Sequence, residues 1–274
     1  KPPSVASVLN PDQLPIGSNF IAVGPIRSAD QATRVCINSH QPWTGPVAWY
    51  EAHLISEEGQ NIYGGLFPGS PVIFLGHNEN IAWGHTVNQP DLVDVFKLEL
   101  NPENKNQYKV DGEWLGLERS LAPLEVRLWR DFRWTVNREV LYSIYGPAMR
   151  VNDEVFAIRY AGIGEFRQIE QWYRMGRAQN FDEFKDAMRI HALAMFNTGY
   201  GDRDGNIFYA YNALLPERVE GHDWSGTVSG NTRDTLWTEY RPFDELPIVE
   251  NPKSGFIQNC NSDPFQTSLG ADNP

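Results

Sequence analysis

Short runs of alternating apolar and polar residues fill the first half of the chain. This alternation predicts β-strands, since successive side chains of a strand point to opposite faces of a sheet. The predicted strands cover residues 19–24, 34–38, 48–56, 71–75, 82–87 and 92–100. Asp111-Gly112 predicts a hairpin turn, and residues 125–140 predict a further strand pair. The first half is therefore expected to be rich in β structure.

Helical spacing appears only after this region. Phe166, Ile169 and Tyr173 lie on one face, the apolar face, of a first predicted helix. A second helix has apolar residues at positions 181, 184, 188 and 192, and Asn180 with Glu183 forms a capping-box-like pair at its start. A hairpin with its tip at 204–206 and a last strand at 256–259 follow. Strands surrounding a helix pair predict an α+β layered domain.

The first fifteen residues have a different pattern, with four prolines and no apolar periodicity. This composition predicts a linker or spacer over residues 1–17, with ordered structure over residues 18–274. The chain starts with Lys1 rather than Met. We therefore expect it to be part of a longer protein.

Charge and composition exclude several classes of function. The chain has 23 Lys and Arg against 35 Asp and Glu, a net charge of −12, and no basic run, so no nucleic acid partner is expected. No apolar stretch is long enough to predict a membrane span. Two cysteines, Cys36 and Cys260, form no disulfide framework or zinc pattern. Two free thiols are expected, and the alternative is a disulfide near the site.

A candidate nucleophile follows the proline-rich segment. Ser18 comes directly after Gly17 and begins a predicted strand. If the bond between these residues is cut, Ser18 gains a free α-amino group with a pKa of about 7.7 to 8.0, which can take the proton of its own hydroxyl. The alternative is that Gly17-Ser18-Asn19 is an ordinary turn. An acyl-transfer site would also need donors for a developing oxyanion, and residues 76–87 and 259–261 could supply them.

At this point the sequence resembles the penicillin acylase family, also called penicillin amidases, which includes the acyl-homoserine-lactone and aculeacin acylases. The matching segments occur in the family's order. They are Gly17-Ser18-Asn19, Phe67-Pro68-Gly69-Ser70-Pro71, Gly76-His77-Asn78, Ala82-Trp83-Gly84, Pro242-Phe243, Leu246-Pro247, Asn251-Pro252, Gly255-Phe256-Ile257 and Asn261. The resemblance implies the αββα layered core of an N-terminal-nucleophile hydrolase and a precursor that cleaves itself before Ser18.

The resemblance also implies roles for single residues. Ser18 looks like the nucleophile, and Gly17 like the residue before the cleaved bond. His40 stands where lactone-type acylases have a histidine that orients the serine; its alternative is a strand-end histidine bonded to backbone. Val87, through its main-chain N–H, and Asn261, through its side-chain amide, resemble the two oxyanion donors. Without the family, Asn261 is a loop residue in an Asx turn.

A structural calcium ion is a further implication of the resemblance, while no cofactor is expected for catalysis. The segment from Asp91 through Val93 to Asp94 resembles a calcium-binding turn found in part of the family, and oxygen ligands suit such a hard cation. Asp272 and the carbonyl of Trp224 fall where the family has further ligands. The alternative is an exposed acidic turn.

Other candidate residues carry weaker signals. Zinc bound by His77 and His85 is not expected. The aromatic residues Phe20, Trp43, Trp49 and Tyr50 fit an acyl pocket or an ordinary core.

The family resemblance implies that an α chain and the later part of the β chain are missing here, that the isolated fragment is inactive, and that the parent is periplasmic or secreted. The expected substrate is a small N-acyl amide, either an N-acyl-homoserine lactone or a penicillin-like compound. Two alternatives remain at this stage: a non-catalytic binding module, and a family member that has lost processing and has a structural role.

Overall fold

The computed structural model describes residues 17–274, so the predicted spacer lies outside the described residues except for Gly17. The chain divides into two compact units. Within the described residues, the first consists of residues 17–90, Gly164–Leu214 and Arg241–Pro274, and the second of Asp91–Ile163 and Leu215–Tyr240. The apolar pattern did not indicate this division. Within residues 17–274, no helix is long and apolar enough to cross a membrane.

The first unit contains two antiparallel sheets and a helix pair. The smaller sheet has the order β18-β1-β2, and the larger has the order β17-β15-β14-β6-β5-β4-β3. Helix α1 spans Gln168–Arg177 and helix α2 spans Phe181–Met188. The strands are β1 (Gly17–Val23), β2 (Arg34–His40), β3 (Tyr50–Ile55), β4 (Asn61–Leu66), β5 (Leu75–His77), β6 (Ile81–Thr86), β14 (Asn197–Asp202), β15 (Ile207–Tyr211), β17 (Ile248–Glu250) and β18 (Phe256–Asn259).

The larger sheet lies between the smaller sheet and the helices. On one face, Tyr200 of β14 packs on Phe184 of α2 with ring centroids 4.5 Å apart. On the other face, the neighbouring Gly199 leaves room for Phe20 of β1, since a Cβ at Gly199 would lie 2.2 Å from that ring. Side chains of a strand alternate between faces, so both faces of this sheet are covered. The predicted α+β layered fold is confirmed.

The second unit is built on a six-stranded sheet with the order β10-β11-β12-β13-β7-β16, accompanied by the hairpin β8-β9. Its core includes Phe96 stacked on Tyr145, with ring centroids 4.4 Å apart. The strands are β7 (Val93–Leu98), β8 (Gln107–Val110), β9 (Glu113–Gly116), β10 (Glu118–Trp129), β11 (Phe132–Ser143), β12 (Gly146–Val151), β13 (Glu154–Tyr160) and β16 (Thr227–Ser229).

Several predicted elements are confirmed. The turn at Asp111 and Gly112 joins β8 to β9 with φ angles of +51° and +88°, as a type I′ hairpin requires. The helix cap also forms, because Asn180 Oδ1 accepts the N–H of Glu183 at 3.0 Å. Among the predicted strands, 71–75 is wrong, since only Leu75 of that stretch belongs to a strand.

The apolar face predicted for the first helix is not the buried one. Phe166 precedes α1 and is 84% exposed, and Ile169 is also exposed. The helix instead buries Gln171, Met175 and Gly176. Gln171 Oε1 accepts the N–H groups of residues 192 and 193 at 2.7 and 3.0 Å, and a Cβ at Gly176 would lie 2.6 Å from a side chain of β4. The buried face therefore combines one apolar side chain with a hydrogen-bonded amide and a closely packed glycine, and it is not the apolar face that the pattern predicted.

Candidate functional site

Ser18 lies at the start of β1 and is only 4% exposed. Its Oγ donates a hydrogen bond to the carbonyl oxygen of Gly17 at 2.6 Å. Its main-chain N–H donates to Oδ1 of Asn261, also at 2.6 Å. The hydroxyl therefore lies against the carbonyl of the peptide bond that precedes it.

His40, at the end of β2, lies beside this peptide bond. It is the register partner of Gly17 in the β1–β2 pair, and a Cβ at Gly17 would lie 3.1 Å from His40 Nδ1. Its other nitrogen, Nε2, is 3.3 Å from Nδ2 of Asn38 and 3.4 Å from Nδ2 of Asn19. Two amides therefore orient the exposed ring at the predicted position.

Asn261 connects Ser18 to Val87. While its Oδ1 accepts from Ser18, its Nδ2 donates to the carbonyl oxygen of Val87 at 2.7 Å. Its own backbone has φ +65°, in the left-handed region that Asn tolerates better than most residues. The structure thus brings Gly17 and Ser18 together with His40, Val87 and Asn261, which are distant from them in sequence.

A buried polar network supports the Asn261 loop, and the sequence did not reveal it. Oδ1 of Asn259 accepts from Thr86 Oγ1 at 2.5 Å, from Asn197 Nδ2 at 3.1 Å and from the Asn261 N–H at 2.9 Å. Tyr209 donates its hydroxyl to Oδ1 of Asn197 at 2.7 Å. Burial raises the pKa of this Tyr209 hydroxyl, which stays protonated as a donor. Each polar side chain alone looks like an ordinary strand-end residue in the sequence.

A largely apolar cavity of about 270 Å³ opens beside Ser18 in the first unit. Of the predicted aromatic residues, Trp49 lines it, whereas Phe20 is buried in the core, and Trp43 and Tyr50 are exposed. The lining residues are Ser18, Ser39, Gln41, Val47, Trp49, Phe67, Phe74, Leu75, His85, Thr86, Val87, Trp172 and Phe196. Such a lining suits an apolar group bound next to the serine.

His85 lies in the wall of this cavity. Nε1 of Trp172 donates to His85 Nε2 at 3.1 Å. Burial lowers the pKa of His85 from its usual value of 6.5 to about 4, so the ring is neutral at neutral pH. His77 is exposed, and among residues 17–274 no group of three or more His, Cys, Asp or Glu side chains is placed to hold a metal ion.

In the second unit, the residues of the predicted calcium turn contact an arginine. Asp94 is buried, and its Oδ2 accepts from Arg218 Nε at 2.8 Å and from Trp237 Nε1 at 2.6 Å. Arg218 Nη2 is 3.3 Å from Oδ1 of Asp91 and donates to its main-chain oxygen at 3.2 Å. Val93, between the two aspartates, has an exposed side chain in β7. A guanidinium therefore already balances the two carboxylates.

The other two predicted ligand residues make contacts of their own. Trp224 belongs to the second unit, where its indole donates to the carbonyl oxygen of Val219 at 3.0 Å and its ring lies under Arg218. Asp272 belongs to the first unit, where its Oδ2 accepts the N–H of Ser254 at 2.8 Å. This hydrogen bond lowers the pKa of the Asp272 carboxyl.

The two cysteines, Cys36 and Cys260, are both free and exposed. The expectation of two free thiols is confirmed.

Comparison with known proteins identifies the family. Residues 2–273 match the penicillin amidase family. The chain belongs to the penicillin amidase family. It is 30% identical over 208 residues to the acyl-homoserine lactone acylase PvdQ of Pseudomonas fluorescens, which covers 73% of this chain and 27% of that protein. It is 29% identical over 251 residues to penicillin G acylase of Escherichia coli, covering 91% of this chain and 29% of that protein.

A solved structure supports the assignment of this chain to the penicillin amidase family. The thermostable penicillin G acylase from Alcaligenes faecalis matches with a TM-score of 0.79 and 26% identity, over 93% of this chain and 46% of that one. This member of the penicillin amidase family thus has a penicillin G acylase fold over nearly all of its length. The chain spans little more than a quarter of the length of the curated relatives it matches.

Proposed function

We propose that this chain is the serine-bearing part of an amidohydrolase that cleaves its own Gly17–Ser18 bond and then hydrolyses N-acyl amides. The observation that carries the proposal is the position of the Ser18 hydroxyl, 2.6 Å from the Gly17 carbonyl oxygen and beside an apolar cavity. Membership of the penicillin amidase family supports the same chemistry.

Self-cleavage would begin from the contact between Ser18 Oγ and the carbonyl group of Gly17. Ser18 Oγ attacks the carbonyl carbon of Gly17, its proton passes to the Ser18 nitrogen, and the C–N bond breaks to leave an ester. Water then hydrolyses the ester, which releases the Gly17 carboxylate and restores the Ser18 hydroxyl. The β1–β2 pairing keeps His40 beside this carbonyl, where its ring orients the reacting groups.

The free amine of Ser18 then acts as the base for the second reaction. With a pKa of about 7.7 to 8.0, roughly a tenth to a sixth of this amine is unprotonated at pH 7, and that fraction can accept the hydroxyl proton. The oxygen attacks the substrate carbonyl, the proton held by the Ser18 amine passes to the substrate nitrogen, and the C–N bond breaks to leave an acyl-serine and a free substrate amine. Water then hydrolyses the acyl-serine, which releases the carboxylic acid and restores the Ser18 hydroxyl. Asn261 Nδ2 has a second hydrogen besides the one it donates to the Val87 carbonyl. That hydrogen and the Val87 N–H stabilise the oxyanion.

The cavity indicates the class of acyl group. An engineered protein cavity of about 150 Å³ holds benzene. The cavity beside Ser18, at about 270 Å³, therefore has room for a medium-length aliphatic or a phenyl-bearing acyl group. The relatives named as acylases of acyl-homoserine lactones and of penicillin G match this choice. Partner segments from the rest of the precursor and a periplasmic or secreted location belong to the same proposal.

The test uses the longer precursor that contains this chain. Mass spectrometry should find a chain that begins at Ser18, and the product should hydrolyse N-acyl amides. Ser18→Ala should abolish both. Ser120→Ala, at an exposed position of β10, is the matched control and should mature normally. Maturation and hydrolysis by the Ser18→Ala precursor would refute the proposal.

A further inference from the structure

Among the described residues that line the cavity beside Ser18, His85 is the one with a titratable side chain, and most of its neighbours are apolar. A buried polar group in such a wall needs defined hydrogen-bond partners. The hydrogen-bond partners of His85 therefore determine the role of its ring in the cavity wall.

Both ring nitrogens of His85 are engaged. The indole N–H of Trp172 can only donate, so His85 Nε2, 3.1 Å away, accepts and carries no proton. Nδ1 then carries the ring proton and faces the carbonyl oxygen of Asn197 at 3.3 Å and Thr198 Oγ1 at 3.2 Å. Strand β14 thus fixes the imidazole, and the imidazole presents a lone pair to the indole.

The same hydrogen bond orients Trp172. This residue lies on α1 and packs on Phe74, with ring centroids 4.4 Å apart and planes inclined by 52°. The indole ring of Trp172 is apolar except for its N–H group, which donates to His85. Buried indole N–H groups usually have such an acceptor. Without the acceptor, the indole would have to turn its N–H toward solvent and change the shape of the wall.

We propose that His85 is a positioning residue that fixes the Trp172 indole as one wall of the cavity and so determines which apolar chain lengths fit. The proposal deepens the proposed function and rests on it for the class of ligand, the acyl group. The buried, neutral ring is consistent with this role, because a protonated Nε2 could not accept the indole N–H.

The experiment measures binding of straight-chain carboxylic acids, from hexanoic to tetradecanoic acid, to the chain by titration calorimetry. Two substitutions at His85 form a matched pair. The amide of Gln reaches the position of Nε2 and can still accept from Trp172, whereas the shorter amide of Asn reaches only the position of Nδ1. Circular dichroism checks that each variant folds, and Trp172→Phe removes the donor.

We expect His85→Asn to shift the best-bound chain length and to weaken binding of the wild-type optimum by about tenfold, as loss of one buried hydrogen bond predicts. His85→Gln should retain the wild-type profile. In a Trp172→Phe background, His85→Asn should have little further effect. An unchanged profile in His85→Asn, equal effects of Asn and Gln, or no saturable binding of any acid would overturn the inference.

These outcomes separate the inference from the proposed function. Acid binding that shifts with His85→Asn, in a protein whose precursor hydrolyses no amide, would leave the inference standing and refute the proposed function. Amide hydrolysis that depends on Ser18, with a chain-length profile indifferent to His85→Asn, would do the reverse.

A second inference concerns the second unit and rests on different contacts. Asp94 is buried with Arg218 and Trp237 on its Oδ2, and Arg218 also contacts both the carboxylate and the carbonyl of Asp91. Oδ1 of Asp94 has no hydrogen-bond partner among the described residues. A divalent ion held by these two carboxylates would lie next to the guanidinium and be repelled by it. The residues do not fit a calcium ion while Arg218 holds its position.

We propose that Arg218 takes the place of a calcium ion at the turn from Asp91 to Asp94. The arginine supplies a fixed positive charge and planar N–H groups beside one carboxylate oxygen of each aspartate, and these carboxylates would otherwise be available to a cation. Its position against the ring of Trp224, 5.7 Å from the ring centroid, keeps the guanidinium in place.

The test compares wild-type protein with Arg218→Ala and Arg218→Lys. Thermal unfolding is followed in calcium chloride and in EDTA, and terbium emission sensitised by tryptophan reports on ion binding. Wild type and Arg218→Lys should show no calcium effect. Arg218→Ala should melt about 5 °C lower in EDTA and regain part of the loss with calcium. Saturable terbium binding by the wild type that Asp94→Asn removes, or a folded Arg218→Ala without a calcium response, would overturn the proposal. Should Arg218→Ala not fold, the wild-type and Arg218→Lys measurements decide.

Discussion

The substitution Asn259→Leu removes the acceptor at the centre of the buried network behind Ser18. Leu has nearly the same shape as Asn, so the change tests hydrogen bonding more than packing. Oδ1 of Asn259 accepts from Thr86, Asn197 and the N–H of Asn261. After the change, Asn197 Nδ2 keeps Thr86 Oγ1 as an acceptor at 3.0 Å. The Thr86 hydroxyl and the Asn261 N–H lose theirs.

The magnitude follows from which groups are buried. Thr86 is 1% exposed, and an orphaned buried hydroxyl destabilises by about 1–3 kcal/mol. Asn261 lies at the surface, so losing its hydrogen bond contributes about 1 kcal/mol more. The added apolar surface of Leu offsets about 1 kcal/mol. We therefore expect Asn259→Leu to lower the free energy of unfolding by about 2 kcal/mol.

Urea unfolding followed by tryptophan fluorescence measures this difference, and a slope of about 2 kcal/mol per molar urea gives a midpoint shift of about 1 M. Asn137→Leu, at an exposed position of β11, is the control and should change stability by less than about 0.5 kcal/mol. Amide exchange measured on residues 256–263 should also become faster in Asn259→Leu. If stability matches the control and exchange is unchanged, the network does not support the Asn261 loop.

Three further predictions concern the first unit and its layers. Gly199→Ala places a Cβ 2.2 Å from the Phe20 ring and should destabilise by about 2–3 kcal/mol in the same urea assay, whereas Gly116→Ala, with open space around it, should not. His85 keeps a pKa of about 4 when folded and 6.5 when unfolded, so the unfolded chain binds the proton first and stability falls by up to about 3 kcal/mol as pH drops from 6.5 to 4. His85→Gln should remove this part of the pH dependence, and equal pH profiles for both proteins would contradict the assignment. Asn180→Ala removes the cap of α2 and should lower the free energy of unfolding by about 1 kcal/mol. A melting temperature equal to that of the wild type would contradict this prediction.

Elements with a local signal could be predicted from the sequence. The hairpin turn at Asp111 and the cap at Asn180 depend on a few neighbouring residues, and both are confirmed. The buried face of α1 consists of Met175 with Gln171 and Gly176. The roles of Gln171 and Gly176 appear only when residues 192 and 193 and strand β4 contact them. A polar residue buried by long-range partners has no periodic signature, so the apolar pattern selected the exposed face.

The candidate site likewise contains some residues that the sequence could predict and others that are positioned only by long-range contacts. The positions of Ser18, His40 and Asn261 could be predicted only because several short segments occurred together in a family's order. The residues that hold them, Thr86 and Asn259, are ordinary in sequence and become a network only through pairing of distant strands. Long-range packing brings these two residues into contact, and the spacing of residues along the sequence does not predict that contact.

The hydrogen bonds around Ser18 bear on how cleavage would change the site. In the uncut chain its nitrogen is an amide, whose lone pair is delocalised and cannot accept a proton. That nitrogen already points at Asn261 Oδ1, 2.6 Å away. Cleavage of the Gly17–Ser18 bond would turn the amide into an amine with this hydrogen bond retained, so the base would form in place. The cut also removes the Gly17 carbonyl from Ser18 Oγ, which frees the hydroxyl to face the cavity. Maturation of such a site would thus need a change of one covalent bond and little movement of the chain.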